Sequence, residues 1–177
     1  MAFHKELTKE LQHFINEQKI FFTGTAPSEG KINLSPKGLD SFRILGPLKV
    51  MWLNLTGSGN ETAAHLLENG RITIMFCSFE GSPQIVRLYG KGKVIHPRDA
   101  DWNKFISSFA NYKTARQLII VDLDMIQTSC GFGVPLYNFA GEREQLATWA
   151  NKKSRTDIED YWKNKNRISL DGKPTGI

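Results

Sequence analysis

The sequence predicts a mainly β protein with flanking helices, built as an antiparallel barrel. Short apolar runs typical of strands follow one another between residues 20 and 95. Turn signals such as Gly46-Pro47 and Gly81-Ser82-Pro83 separate neighbouring runs. Helical periodicity is concentrated near the two ends, with one short helix between strands. Strands joined by short turns pair antiparallel, so these observations favour a barrel over an alternating βαβ fold.

The length of 177 residues fits one domain. We divide it into an N-terminal helix (1–18), a barrel core (19–130) and a C-terminal loop with a helical extension (131–177). The net charge is +5, with no block of Lys or Arg. Such a surface is typical of ordinary solvation or of a modest attraction for anions such as phosphate esters, and it gives no indication of nucleic-acid binding.

Cysteine and hydropathy patterns bear on the compartment. Cys77 and Cys130 form neither a disulfide framework nor a zinc spacing, and no histidine pair has metal-ligand spacing, so no metal site is predicted. No N-terminal signal region and no apolar run approaching the ~20 residues of a membrane span is present. We expect a reduced, cytoplasmic protein without membrane contact.

Each element has its own local signal. Leu7, Leu11, Phe14 and Ile15 share one face of a helix over residues 5–18. Pro36 lacks an N–H donor, so the second strand is expected to end there. The predicted strands are 20–25, 31–35, 42–45, 50–55, 71–80, 84–95 and 117–126. Helices are predicted from about 60 to 69, closed by Gly70, over 99–109, and within 142–161.

The densest polar segment, residues 54–62, follows an apolar strand and enters a helix. Its glycines Gly57 and Gly59 allow close backbone approach, and the helix start presents unpaired N–H groups, as an anion site requires. An ordinary strand-to-helix turn capped by Ser58 or Asn60 explains the same pattern. Neither a dinucleotide fingerprint nor a Walker loop is present. The candidate binding side chains are Asn54, Thr56, Ser58, Asn60 and Thr62.

A second polar cluster lies on the strand before Gly38. Alternation places Asn33 and Ser35 on one face, where uncompensated polar groups would be costly against a core. Lys37 could reach a phosphate. A solvent-facing strand end is the alternative.

The third segment, residues 128–135, places Cys130 between hydroxyl-bearing and glycine residues. A nucleophilic cysteine needs a base, which His65 or His96 would have to supply through the fold. A tight loop lining a pocket is the favoured interpretation.

These motifs together resemble the pyridoxamine 5′-phosphate oxidase-related group of FMN-binding split-barrel proteins. The similarity is carried by Asn-Leu-Ser-Pro-Lys-Gly at 33–38, Gly-Ser-Gly-Asn-Glu-Thr-Ala-Ala-His-Leu at 57–66 and Ser-Cys-Gly-Phe-Gly-Val-Pro at 129–135. It covers most of residues 20–140 and extends to the segment Ser-Leu-Asp-Gly-Lys-Pro at 169–174.

The resemblance implies a split β-barrel and a homodimer with two FMN sites built from both subunits. It assigns Asn33, Ser35 and Lys37 to the flavin. The turn 54–62 would hold the ribityl phosphate end, and Phe76, Cys77 and Ser78 would line the ring.

The chain also departs from the authentic oxidases. Its turn carries Glu61 in place of an Arg/Lys-rich set, so this carboxylate must point away or pair with Lys37, Arg71 or Arg87. The arginine-bearing C-terminal segment is missing, and synthesis of pyridoxal phosphate is not expected.

Three functions are compatible with the sequence. The leading hypothesis is a flavin-dependent oxidoreductase with a small-molecule substrate that the sequence does not identify, and no residue is assigned as catalytic. The alternatives are a non-catalytic flavin or haem binding or sensing barrel, and a cofactor-free interaction domain that uses the aromatic helices around Trp149, Tyr161 and Trp162.

Overall fold

The computed structural model describes residues 1–177 and contains eight strands in one antiparallel sheet. The sheet order is β3-β2-β6-β7-β8-β5-β4, and β1 pairs with the far end of β8. The strands are β1 (Ala2–His4), β2 (Phe21–Thr25), β3 (Asn33–Lys37), β4 (Phe42–Gly46), β5 (Lys49–Leu55), β6 (Arg71–Cys77), β7 (Ile85–Ile95) and β8 (Ala115–Ser129).

The sheet curls until its two ends touch without closing. The Phe21 ring on β2 lies 5.0 Å from the Phe42 ring on β4, although these strands stand near opposite ends of the sheet order. No backbone ladder joins β3 to β4, so the barrel is open between them. Inside it, Trp52, Phe76 and Ile74 are fully buried and form part of the main apolar core. The predicted antiparallel barrel is therefore confirmed.

Five helices surround the barrel. They are α1 (Lys9–Glu17), α2 (Glu61–Asn69), α3 (Trp102–Ile106), α4 (Gln145–Asn151) and α5 (Arg155–Lys165). Leu11 and Ile15 of α1 join the main core. A smaller apolar cluster packs Trp102 and Phe105 of α3 against residues such as Leu118 on the other face of the sheet. None of the five helices has the length and hydropathy that a bilayer crossing requires.

The two longest strands bend at a bulge, as the glycines predict. The register between β7 and β8 shifts between Tyr89 and Gly90. A Cβ atom at Gly90 would lie 2.2 Å from the carbonyl oxygen of Asp122, so only glycine permits this approach.

Several predicted boundaries were wrong. The helix expected from residue 1 or 5 begins at Lys9, where the Thr8 side chain caps it, and residues 2–4 instead form β1. Pro36 does not end β3, because β3 is an edge strand and pairs only with β2. The helix at 99–109 shrinks to 102–106, and β8 runs to Ser129.

Candidate functional site

The two polar segments singled out from the sequence meet in the fold. The Asn33 amide nitrogen donates to the Thr62 hydroxyl oxygen at 3.2 Å, and the Ser35 hydroxyl donates to the Asn33 amide oxygen at 3.1 Å. Asn33, Ser35 and Lys37 are all half-buried, while Leu34 and Pro36 between them are exposed. The predicted alternation on β3 therefore holds, and it aims one polar face at the start of α2.

The turn before α2 leaves polar groups without partners. Asn60 occupies the N-cap position of α2, yet its side chain makes no capping hydrogen bond. It is 3% exposed, its amide oxygen has no partner, and its amide nitrogen makes only a long 3.5 Å bond to the carbonyl oxygen of Asn166. Ser58 is exposed and does not cap the helix. A buried acceptor without a donor is costly, so this turn has unused binding capacity.

A buried arginine supports the same turn. Arg116 is 3% exposed and donates to the carbonyl oxygen of Gly59 at 3.0 Å and to the amide oxygen of Asn166 at 2.7 Å. Its Nε–H has no partner. Burial lowers the pKa of Arg116 to about 10, which leaves the guanidinium charged at neutral pH.

Lys37 adds a second cation close to the first. Its ammonium group makes no hydrogen bond or ion pair, and the lysine is half-buried. Burial, together with the nearby charge of Arg116, lowers the pKa of Lys37 to about 8. Neither cation has a carboxylate partner. Buried charges are usually paired, so this pair is electrostatically prepared for an anion.

The carboxylate of Glu61 does not oppose that anion. Both of its oxygens accept from the backbone N–H of Leu170, at 3.0 and 3.1 Å. It therefore turns toward the C-terminal tail and pairs with none of the expected cations. Arg71 is exposed, and Arg87 donates to the Ser129 hydroxyl at 3.1 Å.

A cavity of about 1580 Å³ opens beside both segments. Four of the predicted residues line it: Lys37, Asn54, Thr56 and Ser78. Its other walls come from one face of α1, from the turn after β6, and from the segment 137–146, which brings Tyr137 and Phe139. Asn33, Ser35, Ser58, Asn60 and Thr62 lie outside its lining and form the adjoining polar layer.

Of the three residues expected to line the ring, Phe76 and Cys77 end β6 and Ser78 directly follows it, and only Ser78 lies on the cavity lining. Phe76 is 1% exposed and stacks on Phe21 in the barrel core, so it is a core residue. Cys77 is buried outside the cavity lining, and burial raises the pKa of its thiol. Ser78 reaches the cavity, but its hydroxyl is already bonded to the turn that follows, through Ser82.

The candidate cysteine nucleophile has no assembled base. Cys130 is exposed. His65 is fully buried and its Nδ1 bonds the Thr25 hydroxyl at 2.9 Å. Neither His65 nor His96 hydrogen-bonds Cys130. The structure therefore gives no support to a nucleophilic cysteine, and a loop remains the favoured interpretation of residues 128–135.

Sequence reasoning missed Arg116, Asn166 and Trp162. The Trp162 indole donates to the Thr56 hydroxyl at 2.7 Å, and Thr56 in turn donates to the carbonyl oxygen of Thr114 at 3.0 Å. The sequence did contain one indication of Arg116, which directly precedes the apolar strand 117–126. A charged residue is rarely buried without a partner, so a single cation at the start of a buried strand indicates a functional role.

The sequence and the fold are those of one family. A sequence model described as pyridoxamine 5′-phosphate oxidase matches residues 7–130. The pyridoxamine 5′-phosphate oxidase family protein ustO of Aspergillus flavus is 38% identical over 190 residues, covering 97% of this chain and 76% of that protein. The chain belongs to the pyridoxamine 5′-phosphate oxidase family.

Solved structures share the split-barrel fold. HupZ of Group A Streptococcus superposes with a TM-score of 0.56 at 20% identity, covering 70% of this chain and 94% of HupZ. An FMN-binding protein from Syntrophomonas wolfei gives 0.50 at 14% identity, covering 65% and 80%. HutZ, a haem storage protein from Vibrio cholerae, gives 0.50 at 14% identity, covering 70% and 94%. The chain is thus a split-barrel protein whose structural relatives include flavin and haem binders.

Proposed function

We propose that this protein binds FMN and acts as a flavin-dependent oxidoreductase on a small-molecule substrate. The observation that carries the proposal is the pair Lys37 and Arg116, two neighbouring cations without a carboxylate partner, of which Lys37 lies on the cavity wall and Arg116 contacts the glycine-rich turn. A phosphate ester is the ligand chemistry that such a pair, together with the backbone N–H groups at the start of α2, favours.

The remaining residues fit the rest of the cofactor. FMN carries ribityl hydroxyls and ring amide groups besides its phosphate. Asn54 and Thr56 lie on the cavity wall with their side chains already bonded inside the protein, and Asn60 lies in the adjoining turn. The buried amide oxygen of Asn60 lacks a donor, which a hydroxyl could provide. Pockets for small ligands measure about 300–1,000 Å³, so a cavity of about 1580 Å³ leaves room for a second molecule.

Bound FMN would supply hydride chemistry. The chain's own part is to hold and orient the cofactor and to limit water. Lys37 and Arg116 would neutralise the phosphate, and Asn33 holds Thr62 at the turn through its hydrogen bond. Tyr137 and Phe139 also line the cavity, where their aromatic rings could cover a planar substrate.

A titration tests the binding proposal. Protein is titrated with FMN and with riboflavin, and absorbance between about 350 and 500 nm and flavin fluorescence are followed. We expect saturable binding of FMN, with riboflavin markedly weaker because it lacks the phosphate. Absence of any spectral change with FMN would refute the proposal.

We further propose a homodimer with the FMN sites at the subunit interface, in the cytoplasm, where free cysteines such as Cys77 and Cys130 persist. Support for a partner surface comes from large apolar side chains that stay exposed near the cavity, among them Phe132, Leu136 and Tyr137. Light scattering should give twice the mass of 20.0 kDa. A monomer that binds FMN fully would contradict the shared site.

A second candidate is a barrel that binds flavin or haem without turnover. His13 lies on the cavity lining and is the histidine there that could approach a haem iron. The two candidates separate by assay. In an oxidoreductase, NADH, NADPH or a reduced deazaflavin reduces the bound FMN and lowers its absorbance. The absorbance returns when an electron acceptor is added. A haem binder develops a Soret band that His13→Ala removes.

A further inference from the structure

The C-terminal tail reaches back to the phosphate end of the proposed site through a single buried side chain. Asn166, the first residue after α5, is fully buried. Its amide nitrogen donates to the carbonyl oxygens of Gly57 at 3.1 Å and Ser58 at 3.5 Å. Its amide oxygen accepts from Arg116 at 2.7 Å. One side chain therefore holds both the glycine-rich turn and the buried cation.

The same tail is anchored on either side of Asn166. Trp162 bonds Thr56 before the turn, and the Thr175 hydroxyl donates to the backbone oxygen of Asn166 at 2.5 Å. Further along, Lys173 pairs with Glu68 on α2, and Asp171 pairs with Lys31 at 3.0 Å. The tail is thus fixed to the elements that carry the turn, and Asn166 is its contact with Arg116.

We propose that Asn166 is a positioning residue for phosphate binding: it orients the Arg116 guanidinium and fixes the 57–60 turn, so that the C-terminal tail and the flavin phosphate stabilise each other. This inference rests on the proposed function. A neutral amide is the suitable partner for Arg116, because it fixes the guanidinium without cancelling its charge.

An Asn166→Asp variant separates positioning from a merely structural role. The new carboxylate would form an ion pair with Arg116 and cancel the charge available to a phosphate. We expect FMN affinity to fall about 10- to 100-fold, the value of one charge-assisted contact. Riboflavin affinity should fall much less, because riboflavin is affected only by the loss of the Asn166 amide donor to the carbonyl oxygens of Gly57 and Ser58. Asn164→Asp is the matched control, since it adds the same negative charge at an exposed position two residues before Asn166. It should change neither affinity.

The outcomes are distinct. Equal loss of FMN and riboflavin binding in Asn166→Asp means a general structural role and overturns the inference, as does an unchanged FMN affinity. If the wild-type protein binds no FMN, the proposed function itself is refuted, whatever the titrations of the variants give.

Limited proteolysis of the wild-type chain gives a second readout that needs no variant. Lys163, Lys165 and Arg167 flank Asn166 and are exposed to trypsin. Because coupling between two sites is reciprocal, a phosphate held by Arg116 must stabilise the tail. At equal occupancy, FMN should slow cleavage at these residues more than riboflavin does. Identical cleavage rates with the two flavins would overturn the inference.

Discussion

Replacing Lys37 by methionine should make the empty protein more stable and a poorer FMN binder. The side chain stays unbranched, becomes one atom shorter and loses its charge. In the folded protein the pKa of Lys37 falls from 10.5 to about 8, mainly through burial. At ~1.4 kcal/mol per pH unit this corresponds to about 3 kcal/mol of cost for keeping the ammonium charged at neutral pH.

The actual cost of keeping Lys37 charged is smaller than this value, because the side chain is only half-buried at the wall of an open cavity. Partial hydration screens the charge, so we expect a gain of about 1–2 kcal/mol in the free energy of unfolding. For a chain of this size the gain corresponds to a Tm increase of about 3–6 °C. The loss of one phosphate contact should weaken FMN about 10- to 100-fold.

Thermal unfolding of the flavin-free protein and FMN and riboflavin titrations measure both effects. Lys113→Met is the control, since Lys113 is exposed and makes no ion pair, and it should leave Tm and both affinities unchanged. A Lys37→Met protein with a lower Tm, or with wild-type FMN affinity, would refute the assignment of Lys37 as a cation held for a phosphate.

Three further outcomes are expected. Since the pKa of Lys37 is lowered from 10.5 to about 8, the unfolded chain binds more protons between these two pH values, so the contribution of this group to Tm rises with pH in that window while FMN affinity falls. Lys37→Met should weaken both trends and leave the part that comes from Arg116, whose pKa of about 10 lies in the same window. Gly90→Ala should lower the free energy of unfolding in urea by about 3 kcal/mol, because the new Cβ would lie 2.2 Å from a backbone oxygen. Gly133→Ala is the control and should be near neutral, since the space around Gly133 is open. Trp162→Phe keeps one six-membered ring, removes the indole N–H that donates to Thr56 at 2.7 Å and leaves a gap at a buried position, so a loss of at least about 1–2 kcal/mol is expected. Unchanged urea midpoints would contradict the role of this contact.

The barrel could be predicted because its strands carry local signals. Alternation, turn residues and glycine bulges act between neighbours, so β2, β5 and β7 were placed nearly to their ends. Pro36 misled the prediction, since its cost depends on whether a strand is central or at an edge, and that property belongs to the assembled sheet. The same limit applies to residues 2–4, which form a strand only because β8 is available to pair with them.

The site was predicted in part for a related reason. Polar residues at half-buried positions of β3 and at the start of α2 stood out along the chain, and the fold joins them through Asn33 and Thr62. Asn166 could not be found in this way, and Arg116 is marked only by its position directly before an apolar strand. Their roles come from contacts across 50 residues of sequence, and neither has a distinctive motif around it. Phe76 was assigned to the ring by the resemblance, whereas its burial against Phe21 in the barrel core depends on packing that the sequence does not show.

The bonds from Asn166 to the 57–60 turn span 108 and 109 residues of sequence. During translation at about 5–20 residues per second, the 57–60 turn leaves the ribosome several seconds before Asn166 does. A nascent chain that has formed the barrel still lacks the residue that aims Arg116. Loading of the proposed FMN should therefore follow synthesis of the tail, and we expect a fragment truncated before residue 162 to retain the barrel strands but to bind FMN poorly.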